Sequence, residues 1–450
     1  MIVDHRNAGR ALARLALPNA ASIVGDQLLG IVDTIVIGTL GAGALAAVTG
    51  ASSIFIALAL GLYGLTQGCG ILCAQAIGAR ENERFGEIVR ASTIVPLVSA
   101  IVVAVIALFG ARQAETALVG ALPTSEAGAS YLVLRSFSLI PMSLTGLIYT
   151  AFAAAGDTRF GLKLLAIINL VHVPLVFVLA LGWLTHHALG IVGAGISSLA
   201  AETIGCGYAL SSLTRRPHYQ ILSRWHFDVR LGLQSAWLGL PESIYLFLVL
   251  APDIAIVAVL APLGSETIAA FRVLMIVSDI TWAIPGSLGS AAQIVIGQRF
   301  GAGDVSGARA FDADARRYAL RFSWLGGAII AVLGWPIAFI CTLDAGLASL
   351  AAAPVALHML TLPLKGYAMT GIARVRAAGD TRFSMVVGII ASGIVIPGVW
   401  LGVNRGHLGL FAVPVVWLIA WLFWCGATAL RLHNFDWSAT RIANLGGKVA

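Results

Sequence analysis

The sequence predicts an all-α polytopic membrane protein, with twelve transmembrane helices in two parallel, pseudo-symmetric six-helix lobes. Three observations predict it. Hydrophobic residues make up 59% of the 450-residue chain and charged residues 11%, against roughly 45–50% and 25% in a soluble domain. The heptapeptide Ala154-Ala155-Gly156-Asp157-Thr158-Arg159-Phe160 returns unchanged as Ala377-Ala378-Gly379-Asp380-Thr381-Arg382-Phe383, 223 positions on (379 minus 156). Basic residues between the apolar runs fall almost entirely on alternate loops, as in a chain that crosses a bilayer repeatedly.

Taken in order, the apolar runs read as spans over 15–38, 46–77, 92–110, 127–153, 162–184, 188–213, 236–260, 267–296, 319–341, 351–373, 384–403 and 408–430. The first follows Arg6, Arg10 and Arg14, but it is too long for a cleaved signal and contains Asp26 and Asp33. The second leads to Arg80, Arg84 and Arg90, and the fourth to Arg159 and Lys163. The sixth leads to Arg215, Arg216, Arg224 and Arg230, and the eighth to Arg299, Arg309, Arg316, Arg317 and Arg321. The tenth leads to Arg374, Arg376 and Arg382, and the twelfth to Arg431, Arg441 and Lys448. That side holds 23 basic residues; the loops of the other hold Arg112 and Arg405. The Arg-rich side is expected to be cytoplasmic, both termini with it, in a cell inner membrane.

Matches at the same offset recur: Leu17-Pro18 with Leu240-Pro241, Gln75, Gly78 and Ala79 with Gln298, Gly301 and Ala302, and Pro174 with Pro397. Both heptapeptide copies fall on the Arg-rich side, which requires an even number of helices per repeat and so six plus six in parallel. The expected organisation is a lobe over 1–213, a linker over 214–233, a lobe over 234–432 and a tail over 433–450. Within the heptapeptide, Gly ends one helix in a left-handed conformation, Asp caps the next, and Arg reaches helix-end carbonyls; the role is structural.

Ionisable residues at membrane depth are costly and mark function. They are Asp26, Asp33, Arg135, Glu202, Glu242, Asp253, Arg272, Asp279, His358 and Lys365. Asn19, Asp26 and Asp33 recur every seven residues, on one helical stripe. Glu242 and Asp253, eleven apart, share a face of the seventh span. Carboxylates on the first helix of each half suggest a cavity between the lobes with acidic walls, joined by Glu202, Asp279, Trp282 and Tyr245; alternatively Arg135, Arg272 and Lys365 neutralise some of these acids as buried pairs. Burial disfavours a charged carboxylate, so Asp33 can take up and release a proton, or with Asn19 or Asn169 coordinate Na⁺.

Several classes are excluded. No Walker A motif occurs, His186-His187 has no further ligands nearby, and short Gly-x-Gly pieces inside apolar spans serve helix packing. Cys69 and Cys73, one turn apart, read as buried structural thiols. The net charge of +7 reflects cytoplasmic loops and not a nucleic-acid partner. No enzymatic activity, cofactor or resident metal is expected.

Val32-Asp33-Thr34-Ile35-Val36-Ile37-Gly38, Gln75-Ala76-Ile77-Gly78-Ala79, Gly301-Ala302-Gly303-Asp304 and the two heptapeptides, set in a six-plus-six repeat, resemble the multidrug and toxic compound extrusion (MATE) family. The resemblance covers nearly the whole chain. It implies alternating access and export of organic, often cationic amphipathic compounds in exchange for H⁺ or Na⁺. Asp33 matches the family's coupling aspartate, and Asn169 the asparagine of its fifth-span Asn-x-x-x-Asp motif. Val173 stands where that motif has Asp, with His172 beside it. Loss of this hard oxygen ligand favours H⁺ over a Na⁺ site at Asp33 and Asn169, and Asp26 is a possible replacement acid. Neither Glu242 nor Asp253 matches the seventh-span glutamate of the Na⁺-coupled members. The expected partners are a small organic substrate and the lipid bilayer, for a monomer. The rival is a flippase of a lipid-linked or amphiphilic intermediate on the same fold, with Arg135, Arg272 and Lys365 facing phosphate.

Overall fold

The computed structural model describes residues 8–119, 124–183, 187–222, 228–248 and 251–437. Arg6, His186, Arg224, Arg441 and Lys448 lie outside them, as does the tail beyond Trp437. Among the described residues the chain is helical, without strands. The helices are α1 (Ala8–Gly38), α2 (Ala42–Gly78), α3 (Asn82–Ser92), α4 (Ile94–Val119), α5 (Ser125–Ala154), α6 (Arg159–Leu181), α7 (Gly190–Thr214), α8 (Val229–Leu248) and α9 (Ala251–Leu260). They continue with α10 (Ser265–Thr281), α11 (Ala283–Gly301), α12 (Val305–Val332), α13 (Gly334–Thr342), α14 (Ala345–His358), α15 (Thr361–Ala377), α16 (Thr381–Asn404) and α17 (Ala412–His433). Eleven helical stretches are long and apolar enough to cross a membrane, and α12 with α13, bent by 63°, makes a twelfth. Large side chains such as Phe109, Leu170 and Val332 stand exposed on them, as lipid-facing residues do.

More helices than spans arise because four spans break among the described residues, each with a proline three residues on, and because residues 249–250 between α8 and α9 lie outside them. Pro96 follows the break at Thr93, Pro285 the break at Trp282, Pro336 the one at Leu333 and Pro363 the one at Leu360. Proline lacks the amide for the preceding turn and clashes with its carbonyl, yet is tolerated in the first turn of a new helix. The third span accordingly begins as the amphipathic α3, burying Phe85, Ile88 and Val89, and the ninth is bent instead of straight.

The duplication is legible in the backbone. Three left-handed positions recur at the 223-residue offset: Gly41 (φ 106°) with Gly264 (φ 100°), Arg80 (φ 61°) with Gly303 (φ 71°), and Gly156 (φ 92°) with Gly379 (φ 90°). Their turn hydrogen bonds match, Asp157 N to Phe152 O at 2.9 Å and Asp380 N to Val375 O at 3.1 Å. The heptapeptide Asp caps the following helix only in the second copy, since the N-cap of α6 is Thr158, without a side-chain cap. In both copies it binds an arginine. Asp380 caps Phe383 and also receives Arg431, at the end of α17, at 2.7 Å. Asp157 receives Arg216, just after α7, at 2.5 Å. In each half the connector is thus tied to the arginine that closes the sixth helix.

Two compact units result, one of Ala21–Phe247 and one of Met1–Ala20 with Leu248–Ala450. In the first, α5 packs against α2, α4 and α7 around Phe55, Leu62, Leu132, Leu139 and Val176. Glycines set its closest crossing: a Cβ on Gly68 of α2 would overlap the Ser235 carbonyl oxygen of α8. In the second, α15 packs against α11, α12 and α17, with Arg374 of α15 reaching the buried Asp312 of α12 at 3.4 Å.

Candidate functional site

Among the described residues, each unit brings together a group of the ionisable residues singled out above. In the unit Ala21–Phe247, Asp33 on α1 and His172 on α6 meet, Oδ1 to Nε2 at 2.7 Å. The His172 side chain is buried and the carboxylate 27% exposed, so the histidine is fixed and the acid keeps an open edge. One proton must lie between the two atoms for this bond to form. Asn169, one turn before His172, keeps a buried Oδ1 without a hydrogen-bond partner. The hydrogen-bond partner of Asp33 in this structure is thus His172, with Asn169 one turn away on the same helix.

Arg135 of α5 stacks its guanidinium 3.7 Å above the Phe55 ring of α2. It acts electrostatically on the exposed Asp26 and on Glu202 of α7, while its Nε stays buried without a partner. The expected pairing of these acids with a base is thus long-range, with no direct ion pair among the described residues. Glu242 and Tyr245 lie in this unit on α8, Glu242 buried.

The second centre lies in the unit containing Leu248–Ala450. Lys365 of α15 approaches His358 Nε2 at 3.3 Å and Ser278 Oγ at 3.4 Å, and His358 lies 3.1 Å from the same hydroxyl. The Lys365 ammonium stands 5.7 Å from the Trp421 ring, which neighbours Trp282 at 6.3 Å. Asp253 of α9 and Asp279 of α10 act on Lys365 electrostatically. Positions 55 and 135 carry the offset to 278 and 358, so Phe55–Arg135 and Ser278–His358 occupy equivalent places with different chemistry.

The MatE family profile matches residues 18–178 and again 241–401. The chain belongs to the MatE family. Both ends of the two matches differ by 223 (241 minus 18, 401 minus 178), the internal repeat itself. The chain is similar to a probable multidrug resistance protein NorM of Halalkalibacterium halodurans, 25% identical over 97% of this chain and 96% of that protein. Among solved structures it is similar to a MOP-superfamily transporter from Pyrococcus furiosus (TM-score 0.85, 18% identity, 95% of this chain and 96% of that one). A mutant of the Vibrio cholerae MATE transporter VcmN also matches (TM-score 0.85, 20% identity, 96% and 99%). At the family level this is a multi-pass membrane transporter of two-lobe fold and not an enzyme.

Against that MATE frame, Asp33, Asp26 and Glu202 fall in one polar centre, while Asp253, Asp279 and Trp282 fall in the other. Asn19 belongs to the second unit although Asp26 and Asp33 follow it on α1. Glu242 lies on α8 and Asp253 on α9, in different units, and residues 249–250 between them lie outside the described residues. Sequence reasoning did not pair His172 with Asp33. Its signal was present, an ionisable residue within an apolar span three positions after Asn169.

Proposed function

We propose that this MATE transporter exports organic, cationic amphipathic compounds by alternating access in exchange for protons, with Asp33 as the coupling acid and His172 as its partner. The observation that carries the reading is the Asp33–His172 hydrogen bond at 2.7 Å. The acid is held by a buried imidazole at membrane depth and still keeps an open edge, so a single proton alters the charge available to a cation. Na⁺ is the weaker choice. Its site calls for hard oxygen ligands, and the donor in contact with Asp33 is a nitrogen.

Protonated Asp33 releases the cationic substrate, and deprotonated Asp33 binds it again. Asp26 and Glu202, opposed by Arg135 at a distance, extend the acidic character of this centre. Support for a drug-like substrate comes from the relatives' designation as probable multidrug resistance proteins. The Arg-rich side and both termini are cytoplasmic on this reading, the membrane is the cell inner membrane, and the working unit is a monomer. The test is ethidium efflux from cells that make Asp33→Asn at wild-type levels in the membrane. Loss of efflux is expected; export at the wild-type rate would remove Asp33 from the coupling role.

A further inference from the structure

Lys365 has no role in the Asp33 centre, and its surroundings are unusual for a buried cation. It is 4% exposed, and an ammonium carries three donors. Its acceptors, His358 Nε2 at 3.3 Å and Ser278 Oγ at 3.4 Å, are uncharged oxygen and nitrogen atoms at long range. A charge-assisted bond is shorter, about 2.7–2.9 Å. Asp253 and Asp279 act on it from a distance, with no ion pair in contact among the described residues. A buried charge without a contacting counter-ion is expensive.

Two further atoms are unmatched beside it. Asp253 Oδ1 and His358 Nδ1 are buried without hydrogen-bond partners. The groups also gather at interrupted helices. Ser278 lies in the last turn of α10 before the break at Trp282, and His358 and Lys365 stand on either side of the break between α14 and α15. Transporters commonly build ligand sites at such breaks, where irregular backbone faces a cavity. Trp421, 5.7 Å from the ammonium, adds an aromatic wall.

Charge decides the ligand class. Lys365 and Arg272 are balanced by Asp253 and Asp279, so a dianionic phosphate meets as much repulsion as attraction. A molecule with one anionic and one cationic end answers both unmatched poles. We propose that the C-terminal half holds a two-pole site for zwitterionic aromatic compounds, whose carboxylate accepts hydrogen bonds from Lys365 and Ser278 while the cationic nitrogen meets Asp253 and the rings lie against Trp421. The site rests on the export reading only for the movement of what it binds.

Tetramethylrhodamine, a zwitterion, and its methyl ester, a cation, differ in the carboxylate alone. Their affinities for the purified full chain are read by quenching of tryptophan fluorescence, and their initial export rates in proteoliposomes. The wild type is expected to prefer the zwitterion. Lys365→Met is expected to lower the zwitterion-to-ester ratio roughly tenfold to hundredfold, the size of a lost charge-assisted hydrogen bond. Ser278→Ala, which leaves the charge in place if Lys365→Met does not fold, is expected to lower it about threefold to tenfold. A ratio unchanged by both substitutions overturns the site. So does Lys365-dependent binding of fluorescent phosphatidylglycerol in preference to the zwitterion, which would make this a lipid-phosphate site. Preferential binding without dye movement would overturn the export reading and leave the site standing; dye movement without preference would do the reverse.

Discussion

His172→Leu removes the hydrogen-bond partner of Asp33 while keeping an apolar side chain in the buried slot between α6 and α1. A hydrogen bond to a charged partner contributes about 1.5–3 kcal/mol, and the 2.7 Å distance with a buried imidazole places this one at the stronger end. Each 1.4 kcal/mol is a factor of ten, so the exchange rate is expected to fall roughly tenfold to hundredfold. The assay is the initial rate of ethidium movement from proteoliposomes at fixed pH gradient, with thermal unfolding in detergent as the folding control. His172→Gln, which restores an N–H donor without an ionisable ring, is expected to recover part of the hydrogen-bond contribution but not full coupling. Export at the wild-type rate by His172→Leu would refute the reasoning. Equal losses in both variants with lowered unfolding temperatures would reduce His172 to packing.

Two further outcomes follow from the loops. Arg80 occupies the left-handed position (φ 61°) that its repeat mate Gly303 fills with glycine, and a side chain there costs about 1–2 kcal/mol. Arg80→Gly is therefore expected to raise the unfolding temperature in detergent and Gly303→Ala to lower it, which a thermal melt of each variant checks. Burial pulls the Asp304 carboxyl upward, but the Gly307 amide, Arg299 and Ser306 together outweigh it and hold it below the usual carboxylate range. A lowered folded-state value means stability present above the unfolded-chain value near 3.9 and lost as pH falls through the folded one. The stability gap between the wild type and Asp304→Asn is expected to close on acidification below about pH 4, as measured by melts across that range.

The spans were legible because each needs a long apolar run and because 23 basic residues sort to one side. The repeat was legible too, and the left-handed pairs at Gly41 and Gly264 or Gly156 and Gly379 are its backbone counterpart. The breaks were not. Pro96, Pro285, Pro336 and Pro363 follow interruptions, whereas α1, α5, α6, α8, α14 and α16 run unbroken through Pro18, Pro141, Pro174, Pro241, Pro354 and Pro397. Local residue type does not separate the two cases, because packing against neighbours decides whether the freed carbonyl is accommodated.

Side-chain pairing was the least legible layer. Asp33 could be singled out from its depth, its helical stripe and the MATE resemblance, but His172 lies 139 positions away, and no periodicity along one helix brings α1 to α6. The ties of Asp157 to Arg216 and of Asp380 to Arg431 were hidden for the same reason. The two arginines are 215 residues apart, so they do not fall on the 223-residue repeat.

The most direct measurement separates the two candidate ions in sealed proteoliposomes loaded with ethidium. With Na⁺ equal on both sides, a pH gradient that is acid on the receiving side is expected to drive dye toward that side against its own concentration, and Asp33→Asn to abolish the movement. Dye movement driven by a Na⁺ gradient at equal pH, or unaffected by Asp33→Asn, would contradict proton exchange at the Asp33–His172 pair.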